Sequence, residues 1–212
     1  MSLAIVYTRA ALGIEAPLIT VEVHLSNGLP GLTMVGLPET TVKEARDRVR
    51  SALINSGYAF PAKKITINLA PADLPKEGGR YDLPIALALL VASEQLNTTR
   101  LNQYEFVGEL ALTGGLRGVP GAIPSAMEAI KAGRRIVVSS DNAAEVGLIG
   151  GSDCLVADHL QEVCAFLAGQ TSLSPPLAEA PARDERYEDL LDVIGQQQGK
   201  RALEIVAAGG HN

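Results

Sequence analysis

The segment from Leu83 to Leu96 constrains the fold most, because almost every residue in it is apolar. A helix of this composition must be buried on most of its sides. Strand-like runs, such as residues 18–25 with their partial period-two alternation, occur along the chain together with helical stretches. This pattern predicts a sandwich of sheet and helices of the α/β or α+β class. Further strands are predicted at 64–69, 105–112, 135–138 and 154–156, and further helices at 124–132, 141–146 and 159–167.

A turn and a helix are predicted after the first alternating run. Turn residues at 28–31 indicate that residues 32–36 form a hairpin with residues 18–25. A helix then begins at position 40 or 41 and ends at Gly57. Its apolar face consists of Val42, Ala45, Val49, Ala52 and Leu53, and its other face carries Lys43, Arg46, Arg48 and Arg50.

Composition limits the possible partners. The 212 residues include 18 Lys and Arg against 24 Asp and Glu, a formal net charge of -6, so contact with nucleic acid requires a local basic patch. Two cysteines do not make a disulfide framework, and the histidines lack metal-ligand spacing. The chain begins without a secretory signal, and its first apolar run is too short for a membrane span. We therefore expect a cytoplasmic protein with no metal site and no membrane contact.

The last part of the chain differs in composition. Residues 170–186 are rich in Pro, Ala, Ser and charge, which predicts a linker between a domain at 1–169 and a helical tail at 187–212. The tail contains Gly195-Gln-Gln-Gln-Gly-Lys-Arg201, which approaches a phosphate-binding P-loop. Only three residues separate the two glycines, and an arginine replaces the hydroxyl that binds magnesium. We expect no cofactor within these 212 residues.

The loop before the apolar helix is the most informative segment for a site. Gly78-Gly79 permits unusual backbone angles, and Asp82 is placed to cap the helix. Lys76 and Arg80 would then lie beside a helix amino terminus, where cations and free N–H groups can form an anion site. The alternative is that Arg80 and Asp82 only fix the loop.

Two further groups of cations form the best local positive surface. They are the basic face of the helix at 40–57 and the pair Lys63-Lys64. Acidic residues alternate with the helix cations, so the alternative is an ordinary solvated face.

Four segments are specific enough to compare with known families: Val35-Gly36-Leu37-Pro38, Asn68–Lys76, Tyr81–Ala86 and Val107-Gly108-Glu109-Leu110. Together they resemble the amino-terminal part of the YifB/ComM family of bacterial, magnesium-chelatase-like AAA+ proteins. The resemblance covers essentially the whole chain. It implies a fold similar to the Lon protease domain, within the ribosomal protein S5 domain 2-like group. It also implies that Ile194, Gly195 and Gln196 lead into an ATPase module, near its nucleotide, and that this chain is truncated before that module.

The same resemblance implies a degenerate protease site. Pro75-Lys76-Glu77-Gly78 is similar to the loop that precedes the catalytic Ser of Lon-type proteases, but no Ser follows it here. The later segment 118–125 has no Lys where the general base is expected, and the chemistry needs a hydroxyl beside an activated amine. The degenerate positions are Gly79, Asp82, Ile123 and Ser125. A Ser-Lys peptidase is therefore the disfavoured alternative.

Members of the resembled family act as hexameric, ATP-driven branch-migration helicases during natural transformation. The resemblance implies a non-catalytic accessory domain that supports ring assembly and makes weak DNA or partner contacts. The candidate DNA-binding residues are Lys76, Arg80, Lys63 and Lys64. ATP and magnesium are expected only in the full-length protein, and DNA affinity is expected to grow by multivalency in the ring. A chelatase-type interaction scaffold is the remaining alternative.

Overall fold

One seven-stranded sheet organises the first of two compact units, which are Met1–Ala178 and Glu179–Asn212. The computed structural model describes residues 3–36, 44–149, 151–176 and 189–209. Its strands are β1 (Leu3–Arg9), β2 (Leu18–Ser26), β3 (Gly31–Val35), β4 (Lys64–Ala70), β5 (Tyr104–Phe106), β6 (Glu109–Leu110), β7 (Leu116–Arg117), β8 (Arg135–Ser139) and β9 (Cys154–Ala157). The order across the main sheet is β3-β4-β2-β1-β5-β8-β9, and β6 pairs with β7 separately.

Helices cover this sheet. They are α1 (Ala45–Asn55), α2 (Asp82–Ala92), α3 (Ala122–Lys131), α4 (Ala143–Gly147) and α5 (Leu160–Leu167). Helix α2 packs against β1 and β2, and ten of its eleven residues are buried. The predicted burial of this helix on most sides is confirmed, and so is the α/β sandwich. The helix ends at Ala92 rather than Leu96, and Glu94 takes a left-handed φ of 62° just after it.

The sheet is covered on both faces near β8. Val137 belongs to the core that contains α2, whereas Ile136 and Val138 belong to a second core beneath α3. Successive strand residues point to opposite faces, so this alternation requires apolar cover on both sides. The second core also contains Ala122, Ala126 and Ala129 of α3.

The predicted hairpin between residues 18–25 and 32–36 is wrong. Strand β4 lies between β2 and β3, and β3 pairs with β4 in parallel. Strand β2 pairs antiparallel with β1 and β4 instead. The chain therefore passes from β2 to β3 over the position of β4, a strand that comes later in the sequence. Residues of the turn at 28–31 cannot indicate that a later strand will lie between the two.

Two other strand predictions need correction. The first seven-residue strand, β1, was not predicted, although its alternate side chains are buried. The predicted strand 105–112 is interrupted at Val107-Gly108, where the Gly108 N–H donates to the Arg80 carbonyl at 3.2 Å and the Gly108 carbonyl accepts from Leu83 N–H at 3.1 Å. The backbone pairs there with the start of α2 instead of extending β5.

Helix α1 has the predicted apolar face within the described residues. Ala45, Val49, Ala52 and Leu53 are buried. The predicted helix start and Val42 and Lys43 lie outside the described residues. The first part of the predicted linker packs on the first unit, since the Val156 N–H donates to the Ser174 carbonyl at 3.1 Å. The rest of that linker, residues 177–186, lies outside the described residues.

The second unit contains one helix, α6 (Gln197–Gly209), in its described part. A short 3-10 turn over Leu190–Asp192 precedes it, and the Asp189 side chain accepts from the Leu191 N–H. No helix of either unit, in the described ranges, has the length and apolar character needed to cross a bilayer.

Candidate functional site

A cavity of about 310 Å³ lies at the predicted degenerate protease site. Gly78, Gly79 and Arg80 form one side of this cavity, and Glu109 and residues 118–120 form the other. A Cβ atom added at Gly79 would lie 2.7 Å from Cδ of Glu109, so a side chain at this position would collide with the carboxylate. The glycine leaves room for the Glu109 side chain of β6 beside the loop. We call this space the Gly-Gly cleft.

Arg80 crosses the Gly-Gly cleft and is itself only 4% exposed. Its guanidinium donates to the Arg9 carbonyl at 3.1 Å and to the Pro120 carbonyl. Gly121 follows with a left-handed φ of 74° and precedes the first residue of α3. Burial lowers the pKa of Arg80, but an arginine keeps its charge in proteins. Arg80 therefore joins the Gly-Gly loop to the start of α3, as the loop-fixing alternative predicts.

Lys76 is completely buried in the preceding loop. Its ammonium donates to the Pro71 carbonyl at 2.5 Å and to the Leu74 carbonyl at 2.8 Å. Burial lowers the pKa of Lys76, and the charge of Asp73 acts in the opposite direction. An anion could reach Lys76 or Arg80 only after these internal hydrogen bonds had broken. This geometry revises the predicted anion site, because both cations are occupied by backbone carbonyls.

Asp82 does not cap α2. It is the first residue of the helix, and the N-cap residue, Tyr81, makes no side-chain capping bond. The buried Asp82 carboxylate instead accepts two bonds from Arg48 of α1, at 2.7 and 3.1 Å, and one from the Leu110 N–H at 3.3 Å. Burial raises the pKa of Asp82 to about 6, against the opposing effect of Arg48. Asp82 thus connects α1, α2 and β6.

The remaining degenerate positions lie in the first turn of α3. Ser125 is fully buried, and its hydroxyl donates to the Gly121 carbonyl at 2.8 Å, within its own helix. Ile123 is half-buried. The structure therefore brings the two segments of the predicted protease site together, with Arg80 between them. The Ser125 hydroxyl and the Lys76 ammonium both bond to backbone carbonyls and not to each other.

A second cavity, of about 230 Å³, contains the cations that the sequence placed on separate elements. Arg46 and Arg50 come from α1, and Lys63 comes from the segment that leads into β4. Phe60 lines the same cavity, and the Arg50 guanidinium lies 5.0 Å from the centre of its ring. Lys64, the first residue of β4, is exposed next to Lys63. We call this surface, with Lys64, the basic cleft.

The four cations of the basic cleft are exposed and lack ion pairs with any carboxylate of the described residues. The positive charge of Lys63 also acts on the Glu94 carboxylate. Arg48, on the same helix, is engaged instead by Asp82. The predicted basic helix face is therefore divided: Arg48 stabilises the interior, whereas Arg46 and Arg50 join Lys63 and Lys64 outside.

The predicted nucleotide-proximal residues precede α6. Ile194 is 97% exposed, and Gly195 and Gln196 both have left-handed φ angles. The P-loop-like sequence thus forms a turn followed by a helix. A true P-loop follows a strand, whereas this segment follows a 3-10 turn over Leu190–Asp192. Within the described ranges, no three His, Cys, Asp or Glu side chains are grouped so that they could hold a metal ion.

Residues 21–142 match the family described as subunit ChlI of Mg-chelatase, and the chain belongs to that family. This match begins within β2 and extends through β8, and it includes both clefts. Among relatives, the chain is 76% identical over its whole length to the uncharacterized protein YifB of Salmonella typhimurium and 74% identical to that of Escherichia coli. It is 56% identical to the competence protein ComM of Haemophilus influenzae. The chain spans 42% of the length of the two YifB proteins and 43% of ComM. The predicted relationship to YifB and ComM is confirmed.

Proposed function

We propose that this chain is the non-catalytic, DNA-contacting accessory region of a ComM/YifB-type AAA+ ATPase that acts on DNA in recombination. The name of its ComM relative, a competence protein, supports a role in natural transformation. In this proposal ATP and magnesium bind to the ATPase module of the full-length protein. The region contributes contacts for ring assembly and for DNA, and works in the cytoplasm.

The basic cleft is the observation that carries the DNA part of the proposal. Three exposed cations, Arg46, Arg50 and Lys63, line this cleft, and Lys64 follows on the opposite face of β4, although the chain as a whole has a net charge of -6. Unpaired Lys and Arg side chains attract phosphates and release the counterions that surround DNA, a favourable effect that decreases with salt. The cation–aromatic arrangement of Arg50 and Phe60 resembles surfaces on which single-stranded nucleic acid binds.

The contact residues in this proposal differ in part from the sequence prediction. Lys63 and Lys64 remain candidates, and Arg46 and Arg50 join them. Lys76 and Arg80 act as internal ties of the Gly-Gly loop. A site with so few cations binds weakly by itself, but several copies held in a ring present their sites to one DNA molecule and gain affinity together.

The Gly-Gly cleft supports the non-catalytic part of the proposal. A Ser-Lys peptidase needs a hydroxyl within hydrogen-bond reach of an amine whose pKa is lowered. In this structure the guanidinium of Arg80 crosses the cleft, and it keeps its positive charge, so it is neither a nucleophile nor a base. The cleft therefore braces the fold in this proposal.

The experiment is a salt titration of DNA binding by fluorescence anisotropy. Four phosphate contacts at about 0.9 ions each give a slope of log K against log salt of about -3.6 on duplex DNA. Affinity should then decrease about 100-fold between roughly 50 and 200 mM salt. Replacing Lys63 and Lys64 by Gln should halve this slope, to about -1.8.

The matched control replaces Arg117 and Lys131 by Gln. Their side chains are 63% and 65% exposed, and their removal changes the net charge equally. The control should keep the wild-type slope. Equal slopes for the two double variants would overturn the assignment of DNA contact to the basic cleft. Recovery of chelatase subunits instead of DNA-processing proteins in a pull-down would favour the scaffold alternative.

A further inference from the structure

The turn between β2 and β3 carries an apolar side chain that is almost fully exposed to solvent. Leu29 is 90% exposed, although burial of a leucine stabilises a protein by about 1.5–3 kcal/mol. Its neighbour Pro30 is a lining residue of the basic cleft. Leu29 therefore lies at the edge of the basic cleft and adds almost nothing to the core.

Backbone and side-chain contacts fix this turn to the two lysines of the cleft. The Gly31 N–H donates to the Lys63 carbonyl at 3.4 Å, and the Ser26 hydroxyl approaches the Lys64 carbonyl at 3.5 Å. A Cβ atom placed on Gly28 would lie 3.8 Å from Cβ of Lys64. Both ends of the turn are thus held against the start of β4, and Pro30 has a restricted φ. The turn that carries Leu29 is thus preorganised beside the backbone of Lys63 and Lys64.

In DNA-binding proteins, apolar side chains flanked by cations can act as wedges between base pairs. Leu, Ile, Phe, Met or Pro side chains enter between base pairs and unstack them, while nearby Lys and Arg side chains hold the phosphates. Unstacking costs a few kcal/mol per step, and less where bases are mismatched or unpaired. A wedge of this kind therefore binds DNA with a weakened base step more tightly than uniform duplex.

We infer that Leu29 is an apolar wedge that enters an unstacked base step, while Lys63 and Lys64 hold the phosphates beside it. The inference rests on the proposed DNA contact of the basic cleft and adds the class of DNA that the cleft prefers. That class is DNA with an unpaired or easily opened base step, such as a bubble. Fully paired duplex would meet the cations but leave Leu29 in water.

The experiment compares two duplexes of equal length, one fully paired and one with a two-nucleotide bubble that contains 2-aminopurine. The wild-type chain should bind the bubble about 10-fold more tightly, and the fluorescence of 2-aminopurine should rise as its stacking is lost. Leu29→Ala should abolish both the preference and the fluorescence change but keep the salt slope, because the lysines remain. Leu148→Ala, a control at a leucine that is 65% exposed and lies after α4, should behave as wild type.

The outcomes separate this inference from the proposed function. A Leu29→Ala variant that keeps the preference for the bubble overturns the wedge, while a salt slope that depends on Lys63 and Lys64 still supports the basic cleft. Binding of the wild-type chain without salt dependence overturns both. A change in self-association of Leu29→Ala without DNA, measured by analytical ultracentrifugation, would show that the leucine serves a protein interface and would also overturn the wedge.

Discussion

Replacing Glu105 by Gln should cost about 3–5 kcal/mol of unfolding free energy, as expected when one partner of a buried ion pair is removed. Glu105 lies in β5, and its side chain is fully buried. Arg9 of β1 donates to both carboxylate oxygens, at 2.6 and 2.7 Å, and Arg134 donates at 3.2 Å. The three charges connect neighbouring parts of the sheet.

Most of this loss of unfolding free energy comes from Arg9, because its side chain is only 6% exposed and its charge would be left buried without a partner. Two further bonds hold Arg9 in place, to the carbonyls of Ala16 and Glu128, both at 3.1 Å. Arg9 therefore cannot turn to solvent when its counter-charge is removed, whereas Arg134 is 23% exposed and can do so. A loss of this size is a large part of the about 5–15 kcal/mol that stabilises a typical protein. It should lower the melting temperature on the order of 10 °C.

Urea unfolding followed by circular dichroism measures this effect. Glu105→Gln should move the midpoint to lower urea without changing the slope, because the surface exposed on unfolding is the same. Glu128→Gln is the matched control, since that carboxylate pairs with Lys131 on an exposed helix face. Its midpoint should stay unchanged. A loss below about 1 kcal/mol for Glu105→Gln would refute the reasoning that Arg9 depends on this carboxylate for its charge balance.

Two further predictions concern the Gly-Gly cleft and its neighbour. Burial raises the pKa of Asp82 to about 6 from 3.8, so the folded state binds its proton more tightly than the unfolded chain. Its contribution to stability is greatest below about pH 4 and is lost, on the order of 3 kcal/mol, as the pH rises through 6. The unfolding free energy of wild type minus that of Asp82→Asn should therefore become smaller as the pH rises from about 4 to 8. A difference that stays constant over this range would contradict the burial argument. Gly79→Ala should destabilise the protein by about 1 kcal/mol at most, because the Glu109 side chain that it would displace is 31% exposed and can move. The double variant with Glu109→Ala should recover most of that loss, and additive losses in thermal unfolding would show that the glycine is needed for another reason.

Local patterns predicted those parts of the fold whose causes are local. The almost continuous apolar composition of α2 requires burial on most sides, and the partial alternation of β2 indicates a half-buried strand. Pairing partners are not local, so the turn at 28–31 falsely indicated a hairpin. Strand β1 gives no alternating signal in the sequence, because residues 3–6 are all apolar although only Ala4 and Val6 of them are buried.

In the candidate site, too, the residue types could be predicted from the sequence, whereas their contacts depend on distant parts of the chain. Lys76 and Arg80 are conspicuous in the sequence, but the carbonyls that engage Arg80 belong to Arg9 and Pro120, which lie far away in the chain. The convergence of α1 cations with Lys63 depends on how α1 packs, which periodicity does not give. The position of Leu29 between a glycine and a proline was a visible signal of a turn tip. Its exposure beside the basic cleft required the tertiary structure.

Strand β4 runs from the basic cleft to the loop that leads into the Gly-Gly cleft. It starts at Lys64, ends at Ala70 and extends about 20 Å at roughly 3.3 Å per residue. Ladders of hydrogen bonds with β2 and β3 hold it on both sides. A pull on Lys64 along the strand would load many of these bonds in shear at the same time. The far end leads directly into the loop that Lys76 ties together, so β4 would transmit tension from one end of the sheet to the other with little stretching.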